Sequence, residues 1–322
     1  MTVTIGVDIG GTKIAGGLVD ADGAILARAR RDTPARSKGG IVDSIVAVIA
    51  ELVATASSHG AGEVEAVGLG AAGLVDETRS IVRFAPNVDW RDEPLGIQVA
   101  AGCGLPVVVE NDANAAAWGE FRFGAGRGSR DLVAVTVGTG IGGGIIHDDR
   151  LVRGSYGMAG EFGHLVRVPD GRLCGCGKRG CWEQYASGNA LLRKARDLAA
   201  ERRTEAHLLL GLGDGTPEGV TGQHVTTAAR DGDPVALEAF RRIGTWLGTG
   251  LADVAALLDP AMFVIGGGVS EAGELLLGPA RIAFESSLVA GAHRPHAQVV
   301  AASLGNDAGM IGAADLARDL TG

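Results

Sequence analysis

The sequence predicts an α/β fold of two similarly built lobes, and three observations carry that expectation. Segments of strand-like alternation recur between segments of helical spacing along the chain, the pattern of an α/β architecture. Shifting the chain by 128 residues lays Val7, Gly10, Gly16, Leu18 and Asp20 on Val135, Gly138, Gly144, Ile146 and Asp148. Both copies read as strand, glycine turn, strand and Asp-containing turn, so the repeat implies two lobes of like construction facing each other. The 322 residues also suffice for two compact lobes, since domains run to ~100–200 residues.

The elements follow in order. Ile5, Val7 and Ile9 alternate as a strand, Gly10-Gly11-Thr12-Lys13 turns, and Ile14 to Val19 returns. Asp20-Ala21-Asp22-Gly23 turns again into Ala24, Ile25 and Leu26. Ile41, Ile45, Val48, Ile49 and Leu52 fall at helical spacing and predict a helix over 40–57. Residues 64–69 and 106–110 read as buried strands, with a helix over 113–122. Further helices are expected over 190–201, 226–231 and 234–258, with 207–222 as a surface loop. Residues 262–265 form a strand ending in Gly266-Gly267-Gly268, 298–302 a last strand and 309–320 a last helix.

Composition narrows the function. The net charge is −9 and no basic stripe is visible, which argues against a nucleic-acid partner. The amino terminus lacks a basic region followed by an apolar one, so no secretory signal is expected. Asp43 and Glu51 interrupt one apolar stretch, and Asp253 and Asp259 another. Neither reads as the ~20 apolar residues that cross a bilayer. A cytoplasmic protein without a membrane partner is expected. Glycine is the outlier at 53 residues, about twice its ordinary ~7% share, and it clusters in turns beside apolar runs.

Three of the four cysteines lie in Cys174-Gly-Cys176-Gly-Lys-Arg-Gly-Cys181, ten residues after His164. Three thiolates and one imidazole make a closed, tetrahedral, structural Zn2+ site, and the interleaved glycines let a short loop fold inward around one ion. Such an ion would fix the backbone between Glu161 and Glu183 and draw the two carboxylates towards one place. His164 would keep its second ring nitrogen for a hydrogen bond. Cys103 stands apart as a small hydrophobe.

Two glycine turns suit phosphate. Asp8 precedes Gly10, Gly11, Thr12 and Lys13, and Gly138-Thr139-Gly140 opens the counterpart turn in the second copy. Glycine lets backbone N–H groups approach phosphate oxygens, and Thr and Lys add donors. Neither turn is a Walker A loop, and each alone would serve as a plain hairpin turn. Gly266, Gly267 and Gly268 offer bare backbone to a base or ribose, or form a structural turn.

At a strand end stands Glu110-Asn111-Asp112-Ala113-Asn114. Phosphoryl transfer needs an in-line alcohol, an acceptor for its proton and a cation on the phosphates. Asp112 can accept the proton, with Asp8 helping to hold Mg2+ through water. It can equally be the N-cap of the helix that follows.

Together, Asp8-Ile9-Gly10-Gly11-Thr12-Lys13, Glu110-Asn111-Asp112-Ala113-Asn114, Glu161-Phe162-Gly163-His164 and the segment from Cys174 to Glu183 resemble the ROK family of sugar kinases. Pro86-Asn87, Gly266–Gly268 and the run from Ala308 to Ala314 are similar as well, so the likeness spans nearly the whole chain. It implies a two-lobed actin-like ATPase (ribonuclease H-like) fold with a central cleft. The expected small domain is 1–110 plus 303–322, and the large one 111–302 with a zinc loop at 164–183. By the same likeness Asp112 is the general base on the 6-hydroxyl of a hexose. Asn87, Asn111, Glu161, His164 and Glu183 bind its other hydroxyls, and Gly73 lines the pocket. Thr12 and Thr139 lie by the phosphates of ATP, and Gly267 near its adenosine.

Two carboxylates and an imidazole suit the equatorial hydroxyls of glucose, while mannose or an N-acetyl sugar is the alternative substrate. Polyphosphate is the alternative donor. ROK members also include sugar-sensing DNA binders, which carry an added helix-turn-helix segment, whereas only seven residues precede Asp8 here. A homodimer or homotetramer is expected from the likeness.

Overall fold

The computed structural model describes residues 2–34, 38–59, 62–85 and 88–320. The chain folds into two compact units: residues 1–134 with 144–160 and 303–322, and residues 135–143 with 161–302.

The first unit opens with β1 (Thr2–Ile9), β2 (Lys13–Val19) and β3 (Ile25–Asp32), an antiparallel meander. After α1 (Lys38–His59), β4 (Glu63–Ala71) runs parallel to β1. The short strands β5 (Leu74–Val75), β6 (Val82–Ala85) and β7 (Trp90–Glu93) make a small antiparallel sheet. Next come α2 (Leu95–Cys103), β8 (Val107–Asn111), parallel to β4, and α3 (Asp112–Phe123). The main sheet has the order β3-β2-β1-β4-β8. Its central strands are covered on both faces, so β1 and β4 read as near-continuous buried runs rather than alternating ones.

Helix α1 covers one face with Ile41, Ile45, Val48, Ile49 and Leu52, all at most 1% exposed. By length and composition alone its stretch 39–58 would also cross a membrane; here that hydropathy supplies the core-facing stripe of an amphipathic helix.

After α3 come β9 (Leu132–Val137), β10 (Ile141–His147) and β11 (Arg150–Leu151). The helices α4 (Glu183–Ala186), α5 (Gly188–Glu201), α6 (His207–Gly211), α7 (Gly222–Arg230) and α8 (Pro234–Leu258) follow. Then come β12 (Met262–Gly266), α9 (Glu274–Ser287), β13 (Gln298–Ala301) and α10 (Ala308–Arg318). The second sheet has the order β11-β10-β9-β12-β13. That order repeats the first sheet strand for strand, a hairpin meander followed by two added strands, as the 128-residue shift implied.

The last helix belongs with the first unit. It packs on β1, β4 and α3 at backbone distance, because Gly6, Gly68 and Gly312 carry no side chain. A Cβ at Gly6 would strike Met310 O, one at Gly68 would strike Ala313 O, and one at Gly312 would strike Ala115 O. Buried Glu120 on α3 ties down the returning chain, its carboxylate accepting from the N–H groups of Ser303 (3.1 Å) and Leu304 (2.7 Å). The packing of α3 on α10 puts residues 111–134 with the first unit, whereas the sequence reading drew its boundary at 110/111.

The segment 207–222 is not a plain surface loop. It opens with α6, whose Leu209 and Leu210 are buried, and Asp233 accepts from the Leu209 N–H at 3.0 Å.

Candidate active site

In the first unit the candidate residues sit at strand ends that lie in register. Asp8 of β1 pairs with Gly70 of β4, which pairs with Glu110 of β8; one residue on, Ile9, Ala71 and Asn111 form the next row. The turn after β1 closes through Gly10 N–H to Lys13 O (3.0 Å) and is pinned by Thr33, whose hydroxyl donates to Gly10 O (2.7 Å). Gly11, Thr12 and Lys13 are left exposed.

At the end of β8 the competing readings of Asp112 separate. Asn111 is the N-cap of α3, its Oδ1 accepting from Ala113 N–H (2.9 Å) and Asn114 N–H (3.0 Å). Asp112 occupies the first helical position, one oxygen accepting from Ala113 N–H at 2.9 Å. The Asn111 amide also donates to Gly73 O (3.1 Å), and Gly73 is packed so closely that a Cβ would lie 2.5 Å from Phe84 O. Asn87 lies outside the described residues.

Electrostatics sets Asp8 and Asp112 apart from ordinary carboxylates. Burial, then the neighbouring Asp112 charge, raises the Asp8 pKa to about 6 against the pull of Lys13. Burial raises Asp112 too, opposed by the Ala113 N–H and its own N–H. Desolvation disfavours a charge that no cation offsets.

Glu110 is the member of the motif to which sequence reasoning gave no role. Its side chain is 1% exposed and meets two guanidiniums, Arg153 Nε at 2.7 Å and Arg79 Nη2 at 3.2 Å. Its other oxygen accepts from Asn111 N–H (3.0 Å) and the Asn114 amide (3.1 Å). Arg153 also donates to Asp76 O (2.9 Å), and the buried Asp76 carboxylate caps the turn that carries Arg79 by accepting from Ser80 and Ile81 N–H. The two arginines lie far from Glu110 in sequence, so only the fold reveals the cluster.

In the second unit the counterpart turn closes through Gly138 N–H to Gly140 O (3.0 Å), and Gly138 O accepts from Gly188 N–H at the start of α5 (2.8 Å). Gly267 has φ +84°, and a Cβ there would lie 2.6 Å from Val137 O, so this turn requires glycine. Thr139 lies between Gly138 and Gly140 in the turn, and Gly266 and Gly268 flank Gly267.

The cysteine loop brings His164, Cys174, Cys176 and Cys181 together, with one ligand atom from each within 4.8 Å of the others. A tetrahedral zinc with Zn–S ~2.3 Å and Zn–N ~2.0–2.1 Å needs ligand atoms about 3.5–3.8 Å apart. Cys174 Sγ lies 3.6 Å from His164 Nδ1, and Cys176 Sγ 3.6 Å from Cys181 Sγ, so the donor set fits such an ion. The other ring nitrogen of His164 lies 3.8 Å from the Glu161 carboxylate. Cys174 Sγ in turn lies 2.9 Å from Glu183 Oε1. Contacts therefore run Glu161–His164–Cys174–Glu183, joining the two carboxylates through the ligands. The second Glu183 oxygen leans on Gly140, where a Cβ would collide with it.

Two five-stranded mixed sheets of matching order, each with a glycine turn in its first hairpin, define the actin-like ATPase class of fold. The ROK family model matches residues 4–320, and the chain belongs to that family. A glucokinase of Streptomyces coelicolor is 54% identical over 319 residues, covering 99% of this chain and 98% of its own length. A glucokinase of Thermotoga maritima is 39% identical over 319 residues, with the same two shares. The solved structure of a ROK family glucokinase from Streptomyces griseus, in complex with glucose and AMPPNP, matches with a TM-score of 0.89 at 58% identity, covering 98% of this chain and 99% of that one.

A carboxyl whose pKa rises on folding holds its proton more tightly in the native state. It favours folding at low pH and opposes it once pH passes the folded pKa. For Asp8 that loss falls between the usual carboxylate range and about pH 6, and Asp112 shifts in the same direction. Asp112→Asn, neutral throughout, is therefore expected to raise the melting temperature by a few degrees at about pH 8 and by less near pH 4.5. Calorimetry without nucleotide or divalent cation checks this; an unchanged or lowered midpoint at the higher pH contradicts it.

Proposed function

We propose that the protein is an ATP-dependent glucokinase that carries the γ-phosphoryl group of ATP to the 6-hydroxyl of glucose, with Asp112 as general base. The observation that carries the reading is the placement of Asp112. It is a carboxylate of raised pKa at a helix N-terminus, freed from capping duty because Asn111 does the capping. The full-length likeness to glucokinases supports the same substrate and donor.

The chemistry follows from the groups present. The 6-hydroxyl oxygen bonds to the γ-phosphorus as the bond to the β-phosphate oxygen breaks and ADP leaves. The hydroxyl proton passes to Asp112. A raised pKa makes that carboxylate a better acceptor, and general-base catalysis of this kind contributes ~10²–10⁴-fold. Asn111, tied to Gly73 O, presents its amide beside the base. Asn87, Glu161, His164 and Glu183 bind the remaining sugar hydroxyls. Gly10, Gly11, Thr12 and Lys13, with Thr139 and Gly140, receive the phosphates through backbone N–H groups and side-chain donors. Gly266, Gly267 and Gly268 leave bare backbone for the adenosine.

Asp8 would hold Mg2+ through water, where burial and the neighbouring Asp112 charge that hinder its ionisation favour a divalent cation; the ion would offset phosphate charge. The His164–Cys174–Cys176–Cys181 cluster would hold structural Zn2+, fixing the loop that ends in Glu183. The protein is cytoplasmic and assembles as a homodimer or homotetramer in this reading.

Asp112→Asn is expected to keep glucose affinity and lose turnover by about a thousandfold or more; near-normal turnover removes Asp112 as the base. Purified protein is expected to carry one zinc per chain. Stripping it with a chelator should raise KM for glucose by about tenfold or more, and an unchanged KM would separate the loop from sugar binding.

A further inference from the structure

A concavity of about 440 Å³ lies in the second unit against α4, α5 and α8, outside every site assigned above. Its wall carries Arg172, Arg193, Lys194, Arg241 and Arg242, against one acid, Asp197. Arg241 and Arg242 share nearby Glu238, at 2.6 and 2.7 Å. Arg172 and Lys194 have no carboxylate partner among the described residues. Arg193 is held below its ordinary pKa by burial and then by the facing Arg172 charge. Five cations in one hollow of a chain with net charge −9 form a local field that a mixed, solvated surface would not produce.

The same hollow is lined by Tyr185 and Trp246, whose rings are 5.0 Å apart between centroids and tilted by 40°. Guanidinium groups recognise phosphate through paired donors, and aromatic rings present apolar faces to a ring. The volume lies within the ~300–1,000 Å³ of small-molecule sites.

The hollow is also wired to Glu183. Arg193 donates to Gln184 O at 2.7 Å, and the Gln184 amide donates to Glu183 Oε1 at 3.3 Å. On the other side, the backbone N–H of Arg172 donates to the Tyr185 hydroxyl at 2.9 Å, which leaves the Arg172 guanidinium free for an anion. An anion that engages the Arg193 guanidinium competes with its contact to Gln184 O on α4, the turn on which Glu183 sits.

We propose that this hollow is a second, regulatory site for a phosphate-bearing small molecule with a compact ring, and that its occupancy changes sugar affinity through Gln184 and Glu183. The coupling rests on reading Glu183 as a sugar ligand; the binding does not.

Titration calorimetry on the zinc-loaded protein, with glucose and a non-hydrolysable ATP analogue saturating the catalytic site, tests the binding. The probes are glucose 6-phosphate, AMP and pyrophosphate at fixed ionic strength. Binding is expected, weakened about tenfold or more in the Lys194→Glu/Arg242→Glu double variant, whose turnover without added anion stays normal. Tighter binding of glucose 6-phosphate or of AMP than of pyrophosphate assigns the ring as sugar or base. Pyrophosphate binding as tightly as either overturns the ring requirement. In kinetics the favoured probe should shift KM for glucose about fivefold or more, and that shift should vanish in the double variant. No binding of any probe, or equal binding by the variant, overturns the site. A protein that binds the anion yet phosphorylates no sugar keeps the site and sinks the kinase reading.

Discussion

Three carboxylates crowd the ends of β1 and β8, the two strands that flank β4 in one sheet, and much of the first unit is arranged around them. Asp8 is the next-to-last residue of β1, while Glu110 and Asp112 stand on either side of the β8–α3 junction. Burying a carboxylate is costly unless it is paired, and the fold treats the three differently. Glu110 is neutralised by Arg79 and Arg153 and becomes a rigid anchor for Asn111 and Asn114. Asp8 and Asp112 have no guanidinium partner among the described residues, the pull of Lys13 on Asp8 is outweighed by burial, and both carry raised pKa values instead. The paired acid stiffens the strand end, and the unpaired ones stay available for protons and cations.

That division explains what could be read from residues alone. The hairpins, the repeat and the buried strands were legible because glycine turns and apolar runs are local signals. The small sheet β5–β7 was not, since its strands are two to four residues long. Helix α9 was hidden by Pro279 and Gly278 in its interior. Within the site, the cysteine spacing announced the metal-ligand cluster, because short thiol spacings have few other uses. Which residue caps α3 could not be read locally: Asn111 and Asp112 both make good N-caps, and only backbone geometry shows that Asn111 takes the role. The Glu110 cluster needed the fold, because Arg79 and Arg153 reach it from separate segments.

In the second unit a single short turn links three features. Cys181 belongs to the metal-ligand cluster, Glu183 leans on the Gly140 turn, and Gln184 and Tyr185 face the cationic hollow. Trp182 locks this stretch in place: it is fully buried against Gly250 of α8, and its indole N–H donates to Trp246 O at 2.8 Å. With that anchor, a change at the cysteine loop or in the hollow reaches Glu183 through few bonds.

The most direct test of the account is turnover of the purified protein with Mg-ATP on glucose, mannose, fructose, N-acetylglucosamine and N-acetylmannosamine, followed by ADP release and identification of the phosphorylated carbon. The account predicts fast phosphorylation of glucose at its 6-hydroxyl and much slower reaction with the others. Preferential turnover of an N-acetyl sugar, or none on any sugar with zinc and magnesium present, would contradict it.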